Sequence, residues 1–212
     1  PNLSYFKAAI PRADSGEVGL NRLDSLLGYG VTNMTVLVPN DAAFQTLIYG
    51  LAFQSYLSTR PTPYTASDSM YADATGKGAV AMGPAILNTN NVTTALVKGI
   101  LAYHFFATNQ GIGFQPNIRV FSTNFSSTPA FYTTLVNAAV AVHPGIMAQA
   151  IFTGPFVTSL KFTGLGTFPP GGTPYSGLAA NTIVVNPAAN PFFDNIAVNG
   201  VYYVIDKVLL PQ

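Results

Sequence analysis

Few side chains in this sequence could serve as acids, bases or nucleophiles. The chain of 212 residues has two histidines, His104 and His143, and no cysteine. A catalytic serine would need one of these histidines as its general base, and the Gly-x-Ser-x-Gly motif of the α/β-hydrolases is absent. His143 precedes a Pro-Gly pair, which predicts a solvated turn residue rather than a base.

The spacings that bind metal ions or phosphate groups are also absent. The sequence has no His-x-x-x-His pair, and Asp14 and Glu17 have no third oxygen ligand nearby, so we predict a solvated turn there. Gly76-Lys77-Gly78 lacks the flanking residues of a P-loop. A carboxylate pair for glycoside hydrolysis stays open, since only the fold could bring two acids together. We therefore predict a noncatalytic protein that uses no cofactor and no metal.

The composition excludes partners that are bound through charge. Only 8% of the residues are charged, and nine basic against eight acidic side chains leave a net charge of +1. The basic residues are scattered singly, which excludes nucleic acids and polybasic membrane contacts. Every apolar run ends well before the ~18 residues that a transmembrane helix needs. The first residues show no signal-peptide pattern, so we expect that any targeting signal was removed or was never part of this sequence, and that an N-terminal membrane anchor could have been removed with it.

The spacing of apolar residues predicts four helices that would position these side chains. The first would end at Pro11, and the second at Gly28, where a residue without a Cβ suits a left-handed cap. The third would begin after Asn40 as N-cap and would bury Phe44, Leu47, Ile48 and Leu51. The fourth would run from Thr94 to Phe106 and would direct His104 inward together with Leu96, Val97, Ile100 and Leu101.

Strands are predicted where β-branched and aromatic residues accumulate. They would cover residues 34–38, 118–125, 131–142, 156–162, 192–198 and 201–210. Asn199-Gly200 between the last two favours a type I′ turn. The last strand is apolar on both faces, which predicts a central place in its sheet. Residues 58–90 and 164–181 are rich in Pro, Gly and polar residues, which predicts two long loops.

Three segments resemble the motifs of fasciclin domains. Residues Thr35 to Phe44 resemble the first signature of that family, a strand followed by Pro, a polar cap and a helix. Residues Asn199 to Pro211 resemble its second signature, and Leu101 to Phe105 resemble its Tyr-His motif. The three motifs occur in the order that the family shows, and the resemblance covers almost the whole chain.

This resemblance implies an α+β fold, a fasciclin-like β-sandwich or wedge of about seven strands with helices packed along one edge. Residues 1–212 would form a single domain. The chain is longer than the usual fasciclin domain, which implies insertions at 58–90 and 164–181. Loops are the parts of a shared scaffold in which recognition is most easily varied, so we expect these insertions to carry the particular function.

The resemblance also indicates candidate binding residues. Tyr103 and His104 match a pair that is implicated in adhesion, but the position of His104 on the face with Leu96, Ile100 and Leu101 favours a buried hydrogen bond near the first signature. Asp194 aligns with the acid of an Asp-Ile pair that is implicated in integrin contact, but Asn195 replaces the Ile. Tyr203 stands where the family commonly has His, so no role can be carried over for that imidazole.

The function implied is that of a noncatalytic adhesion or binding module that recognises an extracellular protein or a glycan. Its expected location is extracellular or at the cell surface, including a lipid-anchored form on a bacterial outer surface or in the periplasm. The alternative is a protein that binds a small molecule or a carbohydrate in a pocket of aromatic loop residues. Candidates for that pocket are Tyr64, Tyr71, Phe168 and Tyr175.

Overall fold

The computed structural model describes residues 2–19, 22–28, 33–90, 92–111, 113–166, 182–185 and 194–211. These residues form a mixed α+β fold, as predicted. The α-helices are α1 (Ser4–Ala13), α2 (Leu23–Gly28), α3 (Asp41–Leu57), α4 (Ala66–Ala81) and α5 (Thr94–His104). The strands are β1 (Met34–Pro39), β2 (Thr108–Asn109), β3 (Phe114–Gln115), β4 (Ala130–Tyr132), β5 (Ile146–Thr153), β6 (Phe156–Thr163), β7 (Thr182–Val185), β8 (Asn195–Ala197) and β9 (Gly200–Ile205). Short 3-10 helices cover Gly83–Asn88, Ser122–Asn124 and Leu135–Ala138.

The described strands form three sheets. β9 lies between β1 and β8, which confirms the predicted central place of the last strand. β1 and β9 run parallel, in a register that pairs Met34 with Gly200 and Pro39 with Ile205. The second sheet has the order β4-β5-β6-β7 and its neighbouring strands are antiparallel. β2 and β3 form a separate two-stranded ribbon.

Two clusters of buried apolar side chains lie on the two faces of the three-stranded sheet. Val36 and Val38 of β1 belong to a cluster that includes buried residues of α1, α3 and α5. Leu37, which lies between them, belongs to a second cluster with Ile146 of β5 and Phe162 of β6. Successive side chains of a strand point to opposite faces. β1 therefore joins the helices on one side to the four-stranded sheet on the other.

The prediction of a long loop over residues 58–90 is wrong. This segment contains α4 and the 3-10 helix Gly83–Asn88. At the start of α4, Thr65 and Asp68 form a capping box, in which each side chain accepts a hydrogen bond from the other residue's backbone N–H. Such a box satisfies N–H groups that a helix start leaves without partners. Residues 167–181 of the second expected loop lie outside the described residues.

Two of the helix predictions need correction at their ends. α1 continues through Pro11 to Ala13, because a proline near the C-terminal end removes one intrahelical hydrogen bond and the next ones still form, as between the Asp14 N–H and the Ile10 carbonyl. α5 ends at His104, two residues early, and its Leu96 is exposed. The cap at Asn40 is confirmed, since its side chain accepts the N–H of Ala43 at 2.9 Å.

The strand predictions need correction in two segments, 118–125 and 131–142. Residues 118–125 form no strand, because the buried hydroxyl of Thr35 donates to the Ile118 carbonyl and accepts the Val120 N–H, both at 2.8 Å. The expected strand 131–142 is reduced to β4 and a 3-10 helix, while β5 was not predicted. β6 is confirmed, and the last strand ends at Ile205.

The type I′ prediction for the last hairpin is also wrong. Ala197 pairs with Gly200, so the connecting residues are Val198 and Asn199, and Asp194 is the only described residue other than glycine with a positive φ. A type I′ turn needs positive φ at both connecting positions. Gly200 is required for a different reason: a Cβ there would lie 2.1 Å from the Met34 carbonyl oxygen.

None of the described helices combines the length and the apolar composition that crossing a bilayer requires.

Candidate functional site

The three motif segments meet inside the protein. β1 and β9, which carry the two signatures, are direct neighbours in one sheet. The Tyr-His motif ends α5, and the N–H of Phe106 just after it donates to the Thr35 carbonyl of β1 at 3.0 Å. The motifs therefore hold the two sides of the fold together.

His104 is fully buried and both of its ring nitrogens have partners. Nε2 accepts the N–H of Leu209 at 3.1 Å, so Nδ1 carries the proton and donates to the Ile100 carbonyl at 2.7 Å. Burial disfavours the charged imidazolium and lowers the pKa of His104 to about 4. The prediction of an inward imidazole is confirmed. A group held in this way ties α5 to the segment after β9 and cannot reach a partner at the surface.

Tyr103 is buried as well. Its hydroxyl donates to the Gly145 carbonyl at 2.8 Å and accepts the N–H of Leu165 at 3.3 Å. Burial raises the pKa of Tyr103 to about 12. Tyr103 thus connects α5 to the segments that precede β5 and follow β6, and its hydroxyl is not presented to solvent.

His143 is not the solvated turn residue that was predicted. Its ring lies edge-on to Tyr103 with the ring centroids 5.5 Å apart, and its Nδ1 accepts the Gly145 N–H at 3.0 Å. Nε2 is buried and has no hydrogen-bond partner. Burial lowers the pKa of His143. The Pro-Gly pair does make a turn, but the turn folds back onto the end of α5.

Asp194 ties the start of β8 to the core. Its Oδ1 accepts the Ser122 N–H at 2.6 Å and the Tyr203 hydroxyl at 2.5 Å. Its Oδ2 accepts the Ser122 hydroxyl at 2.5 Å. Burial, and then the Asp194 carboxylate, raise the pKa of Tyr203. Tyr203 therefore supplies a hydrogen bond that holds Asp194 in the fold.

The turn with Asp14 and Glu17 was predicted to be solvated, and this is wrong for Asp14. The buried Asp14 carboxylate accepts the N–H groups of Leu23 at 2.6 Å and Asp24 at 2.9 Å, which begin α2. Glu17 forms an ion pair with Lys98. In the part of the chain that the structure describes, no three histidine or acidic side chains converge on a position for a metal ion.

A groove of about 650 Å³ lies between α3, α4 and the start of α5. We call it the α3–α4 groove. One side is a continuous stripe of α3 and the turn that follows it, formed by Ile48, Leu51, Ala52, Ser55, Tyr56, Thr59 and Arg60. The rest is formed by Thr75, Ala79, Met82, Ile86, Val92 and Leu96. Its volume falls within the range of ~300–1,000 Å³ typical of small-molecule sites.

Arg60 is fixed at one end of this groove. Its Nη2 donates to the Tyr56 hydroxyl at 2.7 Å, and its guanidinium carbon lies 4.5 Å from the centre of the Tyr56 ring. Its Nε is 3.9 Å from Asp68 Oδ1, which is too long for a hydrogen bond. The other carboxylate oxygen of Asp68 accepts the backbone N–H and the hydroxyl of Thr65.

The groove was not predicted, although one signal for it was available. The apolar spacing recognised up to Leu51 continues on the same helix face at Ala52 and, four residues later, at Tyr56. The aromatic pocket had been expected in loops, but Tyr71 lies on α4 with its ring 6.4 Å from that of Tyr56. Tyr64 is exposed. Phe168 and Tyr175 lie outside the described residues.

Neither the models of known protein families nor the curated proteins that were compared match this chain. The fasciclin resemblance therefore rests on the three motifs alone.

Proposed function

We propose that this protein is a noncatalytic binding module of the fasciclin type, and that its binding site is the α3–α4 groove. The module acts outside the cell, either secreted or held at the cell surface. The observation that carries this proposal is the groove itself, which lies largely within the segment 58–90 and its contact with α3. That segment is one of the two, with residues 164–181, to which the fasciclin resemblance assigns the extra length of the chain.

In this proposal the two larger sheets are the two sides of a fasciclin-like wedge, with the helices along one edge. The parallel pairing of the two signature strands supports this arrangement, as does the cluster of apolar side chains shared by the two sheets.

A noncatalytic role is supported by the hydrogen bonds that the polar side chains of the motifs form within the fold. The imidazole of His104 and the hydroxyl of Tyr103 are engaged with backbone groups. Asp194 is engaged with Ser122 and Tyr203. A general base has to reach the proton that it removes, and these groups are directed into the fold. For the same reason, recognition through Tyr103, His104 and Asp194 is not part of the proposal.

The lining of the groove favours an apolar small molecule over a glycan. Much of the lining offers no side-chain hydrogen bonds, as at Ile48, Leu51, Ala52, Ala79 and Ile86. Sugar hydroxyls buried against these residues would lose their hydrogen bonds to water without replacement. A protein partner is the second candidate, because Met82 and Leu96 line the groove and remain exposed. Such a partner would have to insert an apolar side chain.

A substitution that fills the groove tests the proposal. Ser55 is exposed and lines the groove, so S55W places an indole in it without disturbing the core. Ser69 is exposed on α4 and does not line the groove, so S69W is the matched control. Both variants and the unmodified protein are titrated with the apolar dye Nile red and applied to arrays of extracellular-matrix proteins and glycans.

The proposal expects the unmodified protein and S69W to bind alike and S55W to bind at least about tenfold more weakly. Circular dichroism shows whether each variant is folded. Equal binding by S55W and S69W would exclude the groove as the binding site.

A further inference from the structure

The α3–α4 groove has both the shape and the charge of a site for one class of small molecule. Resting on the proposed function, we infer that this groove binds a long-chain amphiphile with a single anionic head group, such as a fatty acid. The head group lies at Arg60 and the hydrocarbon chain lies against α3.

The first argument is the shape of the groove. Its stripe on α3 runs from Ile48 to Tyr56, which is about 12 Å along the helix axis at ~1.5 Å per residue. Thr59 and Arg60 extend it past the end of the helix. A groove that follows a helix in this way suits an extended chain better than a compact ring system.

The second argument is the order of side chains along the groove. Ile48, Leu51 and Ala52 line the half that is nearer the start of α3. Ser55, Tyr56 and Thr59 line the half that ends at Arg60. The surface thus changes from apolar to polar along one direction. A ligand that matches it has an apolar chain at one end and a polar head at the other.

The third argument is the charge at the polar end. Arg60 is the only charged residue among those described as lining the groove. A guanidinium has five N–H donors. One of them bonds to Tyr56, and Nε lies 3.9 Å from Asp68 Oδ1 in an ion pair, so the donors that a ligand can use are the remaining Nη N–H groups. Part of the side chain is open to solvent. Through these outer N–H groups Arg60 can form a two-pronged pair with a carboxylate.

The experiment is a titration with cis-parinaric acid, a fatty acid that becomes fluorescent in apolar surroundings. The bound probe is then displaced with palmitate or, in a parallel series, with the neutral alcohol of the same chain length. It compares the unmodified protein with R60Q and S55W. R22Q is the matched control, because Arg22 pairs with Asp24 and does not line the groove.

We expect palmitate to displace the probe from the unmodified protein and from R22Q. R60Q should bind palmitate at least about tenfold more weakly, since a charge-assisted pair is lost, and should bind the alcohol unchanged. S55W should weaken both ligands.

Two results would overturn the inference and leave the proposed function standing. One is equal binding of palmitate to R60Q and R22Q. The other is no binding of either amphiphile while S55W still abolishes binding of a protein partner or of Nile red. If S55W changes no binding at all, the groove is not the site and both proposals are wrong.

Discussion

Gly76 on α4 lies directly against the ring of Tyr49 on α3. A Cβ atom at Gly76 would be 2.6 Å from Tyr49 Cδ2 and 3.1 Å from the Tyr49 carbonyl oxygen. The ring cannot easily move away, because its hydroxyl donates to Asp73 at 2.7 Å and its face stacks on Phe53 with 5.9 Å between centroids. The glycine therefore permits the close approach of the two helices that form the groove.

This contact predicts opposite effects for two glycines of the same helix. G76A should lower the free energy of unfolding by about 1–2 kcal/mol, because the overlap with Tyr49 exceeds the gain in helix propensity. G78A should raise it by about 0.8 kcal/mol, since nothing lies within 4 Å of a Cβ built at Gly78. Urea unfolding of both variants measures the two values. If G76A is as stabilising as G78A, the helices do not pack as described.

The buried His104 predicts that stability falls in acid. Its pKa in the folded protein is about 4, below the ~6.5 of an unfolded chain. The unfolded state therefore takes up the proton first as the pH falls. The contribution of His104 to the free energy of unfolding is therefore complete above about pH 6.5. As the pH falls to about 4, the free energy of unfolding decreases by about 3 kcal/mol.

The check is urea unfolding of the unmodified protein and of H104Q at several values of pH. H104Q should be less stable near neutral pH, because the Leu209 N–H and the Ile100 carbonyl lose their partner. Its stability should depend less on pH between about 6.5 and 4. Parallel pH profiles for the two proteins would contradict a buried neutral imidazole.

The hydrogen bond between Tyr203 and Asp194 predicts coupled effects. Y203F should reduce stability by about 1.5–3 kcal/mol, the usual range for a bond to a charged group. Combined with D194A, the loss should be smaller than the sum of the two single losses, because each substitution removes the bond between Tyr203 and Asp194. A double-mutant cycle in urea measures this coupling. Y103F is the control, because Tyr103 shares no hydrogen-bond partner with Asp194, and its loss should add to that of the Asp194 variant. If the losses of Y203F and the Asp194 variant also add fully, the two residues are not coupled.

The Asp14 carboxylate should contribute to stability, whereas the Asp24 carboxylate at the start of α2 should contribute little. D14A should destabilise the protein by about 1–2 kcal/mol, because two N–H groups at the start of α2 lose their acceptor. D24A should change stability little, since Asp24 is exposed and pairs only with residues of its own turn. Thermal unfolding of the two variants compares them. Similar melting temperatures would mean that Asp14 is not the cap of α2.

Features that depend on nearby residues were predictable. The cap at Asn40, strand β1, the inward direction of His104 and the central place of β9 all follow from patterns within a few residues. In each case the side chains that set the structure are close in sequence.

Features that depend on distant contacts were not predictable in this way. Residues 118–125 have the composition of a strand, but Thr35, more than 80 residues earlier in the sequence, takes up their hydrogen bonds. The segment 58–90 has many residues that break regular structure, but its helix packs along α3 through Gly76.

The sequence by itself determined the α+β class, most of the helices, the hairpin at the C-terminal end and the scarcity of catalytic groups, because these depend on composition and local spacing. Only the tertiary structure decided which distant segments bind the side chains of Tyr103, His104 and Asp194, and that Arg60 stands at the end of an apolar groove. The physical reason is that burial and hydrogen bonding are set by segments far apart in the chain, and a single sequence does not show which of them come into contact.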